Sequence, residues 1–232
     1  EIAKRHNRIL MVDHTFVYSE PVRKTRELVQ SGEIGDVFYF DSVRVNLGLF
    51  QHDTNVIYDL AVHDLSIMDF VLGKTPTVVS ATGASHFPDQ TENVAFMSFM
   101  FEDSSLISHI HVNWLAPVKV RRTMIGGSRK MIVYDDLEPS EKIKIYDKGV
   151  ELSNNPDEIK KVLPSYRVGD LWVPNIEMGE PLQSMVRHFI SCIENNEKPV
   201  TDGETGLRIV RYLDAANRSM KNTGAPVEIE KD

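Results

Sequence analysis

The residues best suited to chemistry lie four positions apart in one predicted helix. Asp59 and His63 stand at positions i and i+4, where two side chains on an α-helix can contact each other. A carboxylate beside an imidazole can orient the ring and raise its pKa, which suits proton transfer near neutral pH. The alternative is a solvent-exposed helix face on which the pair has no role.

A second candidate group is basic and lies in a predicted strand. Lys119 and Arg121 are two positions apart, so both side chains point to the same face of the strand, and Arg122 follows them. Such cations can bind a phosphate or a carboxylate, which predicts an acidic substrate. A solvated edge strand, where lysine discourages pairing with other strands, explains the group equally well.

Further candidates for substrate contact lie in a strand end and in a loop. Arg44 and Asn46 end the strand that precedes the proposed catalytic helix, and they could bind substrate hydroxyl groups. Tyr166 and Arg167 lie in a polar loop and could stack on, or hydrogen-bond to, a sugar or a base. In the same loop Trp172 is interpreted first as an aromatic anchor that fills the core.

One strand could be mistaken for a metal site. His109, His111 and Asn113 alternate on one of its faces. Two imidazoles at this spacing can share a metal ion, but such a site usually needs a third strong ligand, and the neighbouring sequence offers none. We therefore predict no metal site.

The elements that position these residues follow from hydrophobic periodicity. A helix is predicted from about residue 54 to residue 72, ending at Gly73. Short strands rich in β-branched and aromatic residues are predicted at 37–46, 77–84, 93–101, 106–114, 120–125, 131–134 and 143–146. Two helices close the chain, and the first has an apolar stripe over residues 182–193. This order predicts an α+β fold in which helices cover one face of an open, mostly antiparallel sheet.

The open face of this sheet predicts self-association. In the strand 93–101, Val94, Phe96 and Met100 point to one side, while Met97 and Phe99 point to the other. A strand that is apolar on both faces is covered on both faces. We therefore expect a homo-oligomer that forms through the open sheet face.

Composition excludes several classes of protein. The 232 residues hold 26 Lys and Arg against 34 Asp and Glu, a net charge of −8, so bulk charge does not favour nucleic-acid binding. No apolar run reaches the ~18 residues of a membrane helix, and no membrane partner is expected. One cysteine, Cys192, excludes an internal disulfide; with no leader-like opening, it predicts a cytoplasmic location.

The order of several short motifs resembles the glucose–fructose oxidoreductase / inositol dehydrogenase (Gfo/Idh/MocA) family. The D-x-x-x-H element at 59–63 lies about 45 residues beyond a strand-like segment at 9–14. Other matching stretches occur in order at 21–24, 31–35, 46–50, 113–117 and 203–210. The resemblance implies an NAD- or NADP-dependent oxidoreductase that acts on a sugar, a sugar acid or a nucleotide sugar. It also implies that His63 exchanges a proton with the substrate hydroxyl, that Asp59 orients His63 or shares its role, and that His14 lies near the nicotinamide.

The chain departs from that family at its N-terminal side. It has no G-x-G-x-x-G turn, and the Glu-Lys-Pro sequence at 197–199 lies too late in the chain, so we interpret it as a chance turn. We therefore expect residues 1–16 to be a remnant of a dinucleotide-binding domain and residues 17–232 to form the substrate-binding and oligomerisation domain. The helix at 204–221 is expected to pack toward the missing domain. This chain alone should bind no cofactor and be inactive. The alternative is a non-catalytic binding or assembly module with the same fold.

Overall fold

Alternating burial along the strands shows which side of the sheet carries the core. The structure, a computed structural model, describes residues 1–48, 51, 53–88, 90–103, 105–151 and 165–230. The strands are β1 (Val37–Leu47), β2 (Pro76–Ala84), β3 (Val94–Phe101), β4 (Ile107–Asn113), β5 (Leu115–Gly127), β6 (Met131–Asp135), β7 (Ile143–Tyr146), β8 (Gly149–Glu151), β9 (Ser165–Arg167), β10 (Leu171–Trp172) and β11 (Val227–Glu228).

Most of these strands join one large sheet. Within the described residues nine strands pair in the order β10-β7-β6-β5-β1-β4-β3-β2-β11, and β8 pairs separately with β9. Every neighbouring pair in the large sheet is antiparallel except β1 and β4, which are parallel. This confirms the predicted α+β fold with an open, mostly antiparallel sheet. It also places β1 in the interior of the sheet, hydrogen-bonded to β4 on one side and to β5 on the other.

The helices pack on one face of this sheet. They are α1 (Ile2–Arg5), α2 (Glu20–Gln30), α3 (Val62–Leu72), α4 (Pro181–Asn195) and α5 (Gly203–Lys221), with a short 3₁₀ helix at Thr15–Tyr18 and a π-helical turn at Ile57–Ala61. Helix α5 packs on β2, α2 on β6 and α3 on β1. Among the described helices, none is both long and apolar enough to cross a membrane.

The end of α3 lies where the sequence predicts it. Gly73 caps the helix with a φ of 60°, in the left-handed region, and its N–H donates to the carbonyl of Asp69. Glycine adopts this conformation without the strain that a Cβ atom would introduce.

Strand β3 shows the division between core and open face. Met97 and Phe99 are fully buried under the helices, while Phe96 is 43% exposed and Met100 is 37% exposed on the other side. Opposite Met100, β4 carries Ile107, which is 49% exposed. An apolar patch therefore lies on the sheet face that no described helix covers.

The first twelve residues are tied to the start of α5. Met11 forms an isolated antiparallel bridge with Asp202, and the N–H of Val12 donates to the carbonyl of Thr201 at 2.7 Å. A Cβ atom on Gly203 would lie 2.6 Å from Cδ2 of Leu10, so this glycine permits the close approach of the segment. In place of a strand of the main sheet, residues 8–12 therefore form an extended segment docked on the loop before α5.

The apolar stripe of α4 is only partly covered. Met185 and Cys192 are buried, and α4 packs mainly along the 3₁₀ helix at Thr15–Tyr18. Four other apolar residues of α4 are each about half exposed: Leu182, Val186, Ile190 and Ile193. Periodicity predicts an apolar face correctly here, but it cannot predict which part of the face is covered.

Candidate functional site

The helix that carries the D-x-x-x-H element begins with a widened turn. Residues Ile57–Ala61 form one π-helical turn, and the chain continues as α3 from Val62. The sequence predicts a continuous α-helix here, so the π turn is a difference between expectation and structure. Such single-turn irregularities occur frequently at functional sites.

The carboxylate of Asp59 binds a tryptophan. Its Oδ2 accepts a hydrogen bond of 2.8 Å from Nε1 of Trp114, which is fully buried at the junction of β4 and β5. A buried indole N–H needs an acceptor, and Asp59 supplies it. Within the described residues no hydrogen bond joins Asp59 to His63, although the charge of Asp59 acts on the imidazole.

His63 is a half-buried imidazole with a lowered pKa. Its ring meets the edge of Phe16 at a centroid distance of 5.1 Å. Burial is the main cause that lowers the pKa of His63 to about 4; the positive charges of Arg44 and Arg121 contribute to this shift, and Asp64 and Asp59 only partly oppose it. The raised pKa expected from a neighbouring carboxylate is therefore wrong. At pH 7 the ring is neutral and able to accept a proton.

Arg44 lies beneath this histidine in a buried ion pair. Its side chain is 4% exposed, and its Nε donates to Oδ2 of Asp64 at 2.5 Å. Ser42 donates to the other oxygen of the same carboxylate at 2.6 Å. The guanidinium carbon lies 4.6 Å from the ring centroid of Phe16. The residue predicted to contact substrate hydroxyls is thus covered by Phe16, and its Nη1 is buried with no partner among the described residues.

Arg121 joins the same cluster from the neighbouring strand. It is the direct cross-strand partner of Arg44, and its guanidinium carbon lies 6.0 Å from the ring centroid of Phe16. Nη1 of Arg121 donates to Asp136 at 3.3 Å, while its Nε is buried with no partner in the described part of the chain. The structure therefore brings Arg44, Arg121 and His63 together around one phenylalanine ring.

Two predicted substrate residues lie along the same two strands. Lys119 is exposed on β5, two positions before Arg121, and Asn46 is half-buried on β1, two positions after Arg44. Lys119 is thus open to solvent, and Asn46 is partly so.

The loop candidates have other surroundings. Arg167 forms an ion pair with Asp147 and donates a hydrogen bond to the carbonyl of Arg129. The side chain of Tyr166 lies outside the described residues. Trp172 is 48% exposed, so its interpretation as a core anchor is wrong. The reason is its place on β10, a two-residue strand at the edge of the sheet.

His14 lies in a separate cavity of about 340 Å³, whose walls include Asp69, Thr201 and Arg208. The imidazole is 6% exposed, and its Nε2 is buried without a partner among the described residues. Burial lowers the pKa of His14, although Asp13 and Asp69 oppose the shift. This side chain is therefore a neutral group at pH 7 that could hold one polar atom of a ligand.

The paired histidines of β4 have local partners. Nδ1 of His109 lies 3.1 Å from Oδ1 of Asp41, and the ring of His111 stacks on Phe96 at a centroid distance of 4.3 Å. Within the described ranges, no group of three or more His, Cys, Asp or Glu side chains could hold a metal ion.

Sequence reasoning missed three members of the central cluster. Phe16 contacts His63, Arg44 and Arg121, yet nothing in its spacing distinguishes it from a core residue. Trp114 becomes informative only when the position of the junction between β4 and β5 is known. The position of Asp64 directly after His63 was the one local signal.

Comparison with known proteins identifies the family of this domain. The family model described as "GFO/IDH/MocA C-terminal domain" matches residues 22–133 of this chain. The chain is 20% identical over 229 residues to D-apiose dehydrogenase from Paraburkholderia graminis, covering 95% of this chain and 59% of that protein.

Two solved structures show the same fold. One is an oxidoreductase from Agrobacterium radiobacter in complex with NAD⁺, L-tartaric acid and magnesium (TM-score 0.75, 17% identity, 97% of this chain and 66% of that one). The other is UDP-N-acetylglucosamine 3-dehydrogenase from Acidithiobacillus ferrooxidans (TM-score 0.75, 18% identity, 95% and 65%). The chain thus spans about three fifths to two thirds of these proteins. Residues 22–133 therefore carry a domain of the GFO/IDH/MocA family, which the motifs of the sequence resemble.

Proposed function

We propose that this chain is the substrate-binding part of an NAD(P)-dependent oxidoreductase, in which His63 exchanges a proton with a sugar hydroxyl. The observation that carries the proposal is the neutral, half-buried imidazole of His63 beside two guanidinium groups. A base must be unprotonated at the working pH to accept a proton, and His63 meets that condition.

The residues around His63 act as a support for its ring. Phe16 fixes one edge of the imidazole, while Asp59 anchors the π turn to Trp114. Asp59 is therefore proposed as a positioning residue for His63, acting through the backbone of the turn. Hydride transfer to or from the substrate carbon is the chemistry that a bound nicotinamide supplies.

The described residues fit only one end of such a cofactor. The unpartnered Nε2 of His14, in its polar cavity, suits the nicotinamide end. The sequence contains no Gly-rich turn that would let backbone N–H groups approach a pyrophosphate. We therefore propose that this chain alone holds no NAD or NADP and does not turn over substrate.

A second domain would complete the binding site, and the exposed apolar residues support this proposal. Four apolar side chains of the α4 stripe are each about half exposed. On α5, Leu207 is 48% exposed and Val210 is 54% exposed. Leu10, which is 54% exposed, lies beside the start of α5. Residues 1–16 would then belong to a dinucleotide-binding domain that packs on α4 and α5, with residues 17–232 as the substrate-binding domain.

The substrate is proposed to be a sugar, a sugar acid or a nucleotide sugar. Two relatives bear the names of sugar dehydrogenases, one for D-apiose and one for UDP-N-acetylglucosamine. The proposed substrate contacts outside the cluster around Phe16 remain Lys119, Asn46, Tyr166 and Arg167. A cytoplasmic location stays a prediction from the sequence.

Turnover with nicotinamide cofactors tests the proposed function. The gene product, expressed together with the coding sequence upstream of Glu1, should reduce NAD⁺ or NADP⁺ with at least one compound of a sugar panel, measured at 340 nm. The 232-residue chain should give no absorbance change under the same conditions. If the longer protein binds sugars by calorimetry but reduces neither cofactor, the alternative of a non-catalytic binding module is correct.

We also propose that two copies of the chain pack through the open face of the sheet. Nine strands about 4.8 Å apart, with a mean length of about seven residues at ~3.3 Å each, span roughly 850 Å². A standard interface buries ~800 Å² per partner, so the face is of a suitable size. On this face Arg122 pairs with Asp135, and Oδ1 of Asp41 lies 3.1 Å from Nδ1 of His109, so these polar groups have partners within the chain.

Substitution of Phe96 tests this interface. The Phe96→Glu variant places a charge on the open apolar face, so a dimer of the unchanged chain should become a monomer at micromolar concentration by light scattering. Val168→Glu, at a position that is 85% exposed and outside the strands, is the matched control and should stay dimeric. A monomeric unchanged chain would contradict the proposal.

A further inference from the structure

We propose that Arg44 and Arg121 form a subsite for a carboxylate of the substrate, beneath Phe16 and beside His63. The inference rests on the proposed function and adds the chemical class of the ligand, a sugar acid rather than a neutral sugar. It depends on the geometry of four described side chains.

The first observation is the presence of unused donors. Nη1 of Arg44 and Nε of Arg121 are both buried, and neither has a hydrogen-bond partner among the described residues. Buried donors of this kind are nearly always paired in native proteins, most strictly when they are charged. Two such donors in one cluster indicate that an acceptor is supplied from outside the chain.

The second observation is the placement of like charges. Arg44 and Arg121 face each other directly across β1 and β5, an arrangement that is unfavourable without a compensating anion. Arg44 is paired with Asp64, but Arg121 shares Asp136 with Lys142. Among these ion pairs three cations share two carboxylates, which leaves one positive charge without a carboxylate of its own.

The third observation concerns the class of anion. A guanidinium presents its N–H groups in a planar fork that matches the two oxygens of a carboxylate. A neutral hydroxyl could accept one hydrogen bond here, but it would leave the excess charge unchanged. The cluster thus favours a carboxylate over the hydroxyl groups of a neutral sugar.

Phe16 connects this subsite to the proposed base. The same ring contacts Arg44, Arg121 and His63, so the guanidinium groups and the imidazole lie around one side chain. Phe16 is half-buried on the short 3₁₀ helix at Thr15–Tyr18. A carboxylate bound by Arg44 and Arg121 would belong to the same small molecule as the hydroxyl with which His63 exchanges a proton.

Ligand titration of the 232-residue chain tests the subsite. Sodium D-glucuronate and D-glucose are added separately, and the NMR resonances of Arg121 Nε–H and of the His63 ring are followed. Glucuronate should shift both resonances saturably, and glucose should not. Arg121→Gln should weaken glucuronate binding at least ~10-fold, since a hydrogen bond to a charged group is lost.

A neighbouring residue provides the charge-matched control. Arg122 follows Arg121 on the opposite face of β5 and pairs with Asp135, so Arg122→Gln should leave glucuronate binding unchanged. Equal responses to the two sugars, no response to either, or unaltered binding in Arg121→Gln would overturn the subsite. None of these results bears on turnover through His63, which the cofactor assay measures separately.

Discussion

Replacement of His63 by Asn in the complete protein is expected to lower kcat by a factor of about 10² to 10⁴. Asparagine retains a polar side chain of similar reach but cannot accept a proton at the working pH. The ring also lies at the edge of the core rather than within it, so the free energy of unfolding should change little. Steady-state turnover and urea denaturation of the same samples separate the two effects.

The pH dependence gives an independent check on His63. Since its pKa lies near 4, log(kcat/KM) should rise as the pH rises through about 4 and should then be flat through 6.5. Because the folded pKa lies below the unfolded one, the unfolded ring takes up its proton first, and stability falls as the pH falls from 6.5 to 4. His109→Asn, on the opposite face of the sheet, should keep both turnover and profile. Full activity in His63→Asn would remove His63 from the mechanism.

Breaking the buried pair of Arg44 and Asp64 is expected to cost about 3–5 kcal/mol of the free energy of unfolding. In Arg44→Met, the Asp64 carboxylate stays buried with Ser42 as its remaining hydrogen-bond donor among the contacts described here. An uncompensated buried charge is far more costly than the loss of a pair at the surface. Urea denaturation monitored by circular dichroism measures the difference.

A double variant and a surface control complete this test. Arg44→Met combined with Asp64→Leu removes both charges and should recover most of the stability that the single variant loses. Lys74→Met breaks an ion pair with Asp103 whose side chains are about half exposed, and it should cost less than ~1 kcal/mol. A single variant as stable as this control would show that the Arg44 pair contributes little.

Local signals in the sequence predicted the fold better than they predicted the site. The end of α3 at Gly73 and the alternation of β3 depend on neighbouring residues alone, and the structure has both. Arg44 and Arg121 were candidates by residue type, but their pairing depends on the register of β1 against β5. No spacing within either segment contains that information.

The errors at the site have the same physical origin. Helical spacing predicted that Asp59 contacts His63, whereas the Asp59 carboxylate accepts a hydrogen bond from Trp114, 55 positions later in the chain. The direction of the His63 pKa was mispredicted because burial and two arginines from distant strands outweigh the nearby carboxylates. Trp172 was expected in the core, and its place on a short edge strand could not be inferred from composition.

The interior position of β1 sets the order in which the molecule can assemble. Both of its neighbours come later in the chain, and the pairing of Tyr39 with Ile107 closes a loop of about 70 residues, which makes this contact intrinsically slow to form. A nascent chain therefore carries β1 with two unsatisfied edges until β4 and β5 have left the ribosome. We expect chaperone dependence during synthesis, and aggregation of chains interrupted before residue 115, because this central strand is made first and must wait for both of its partners.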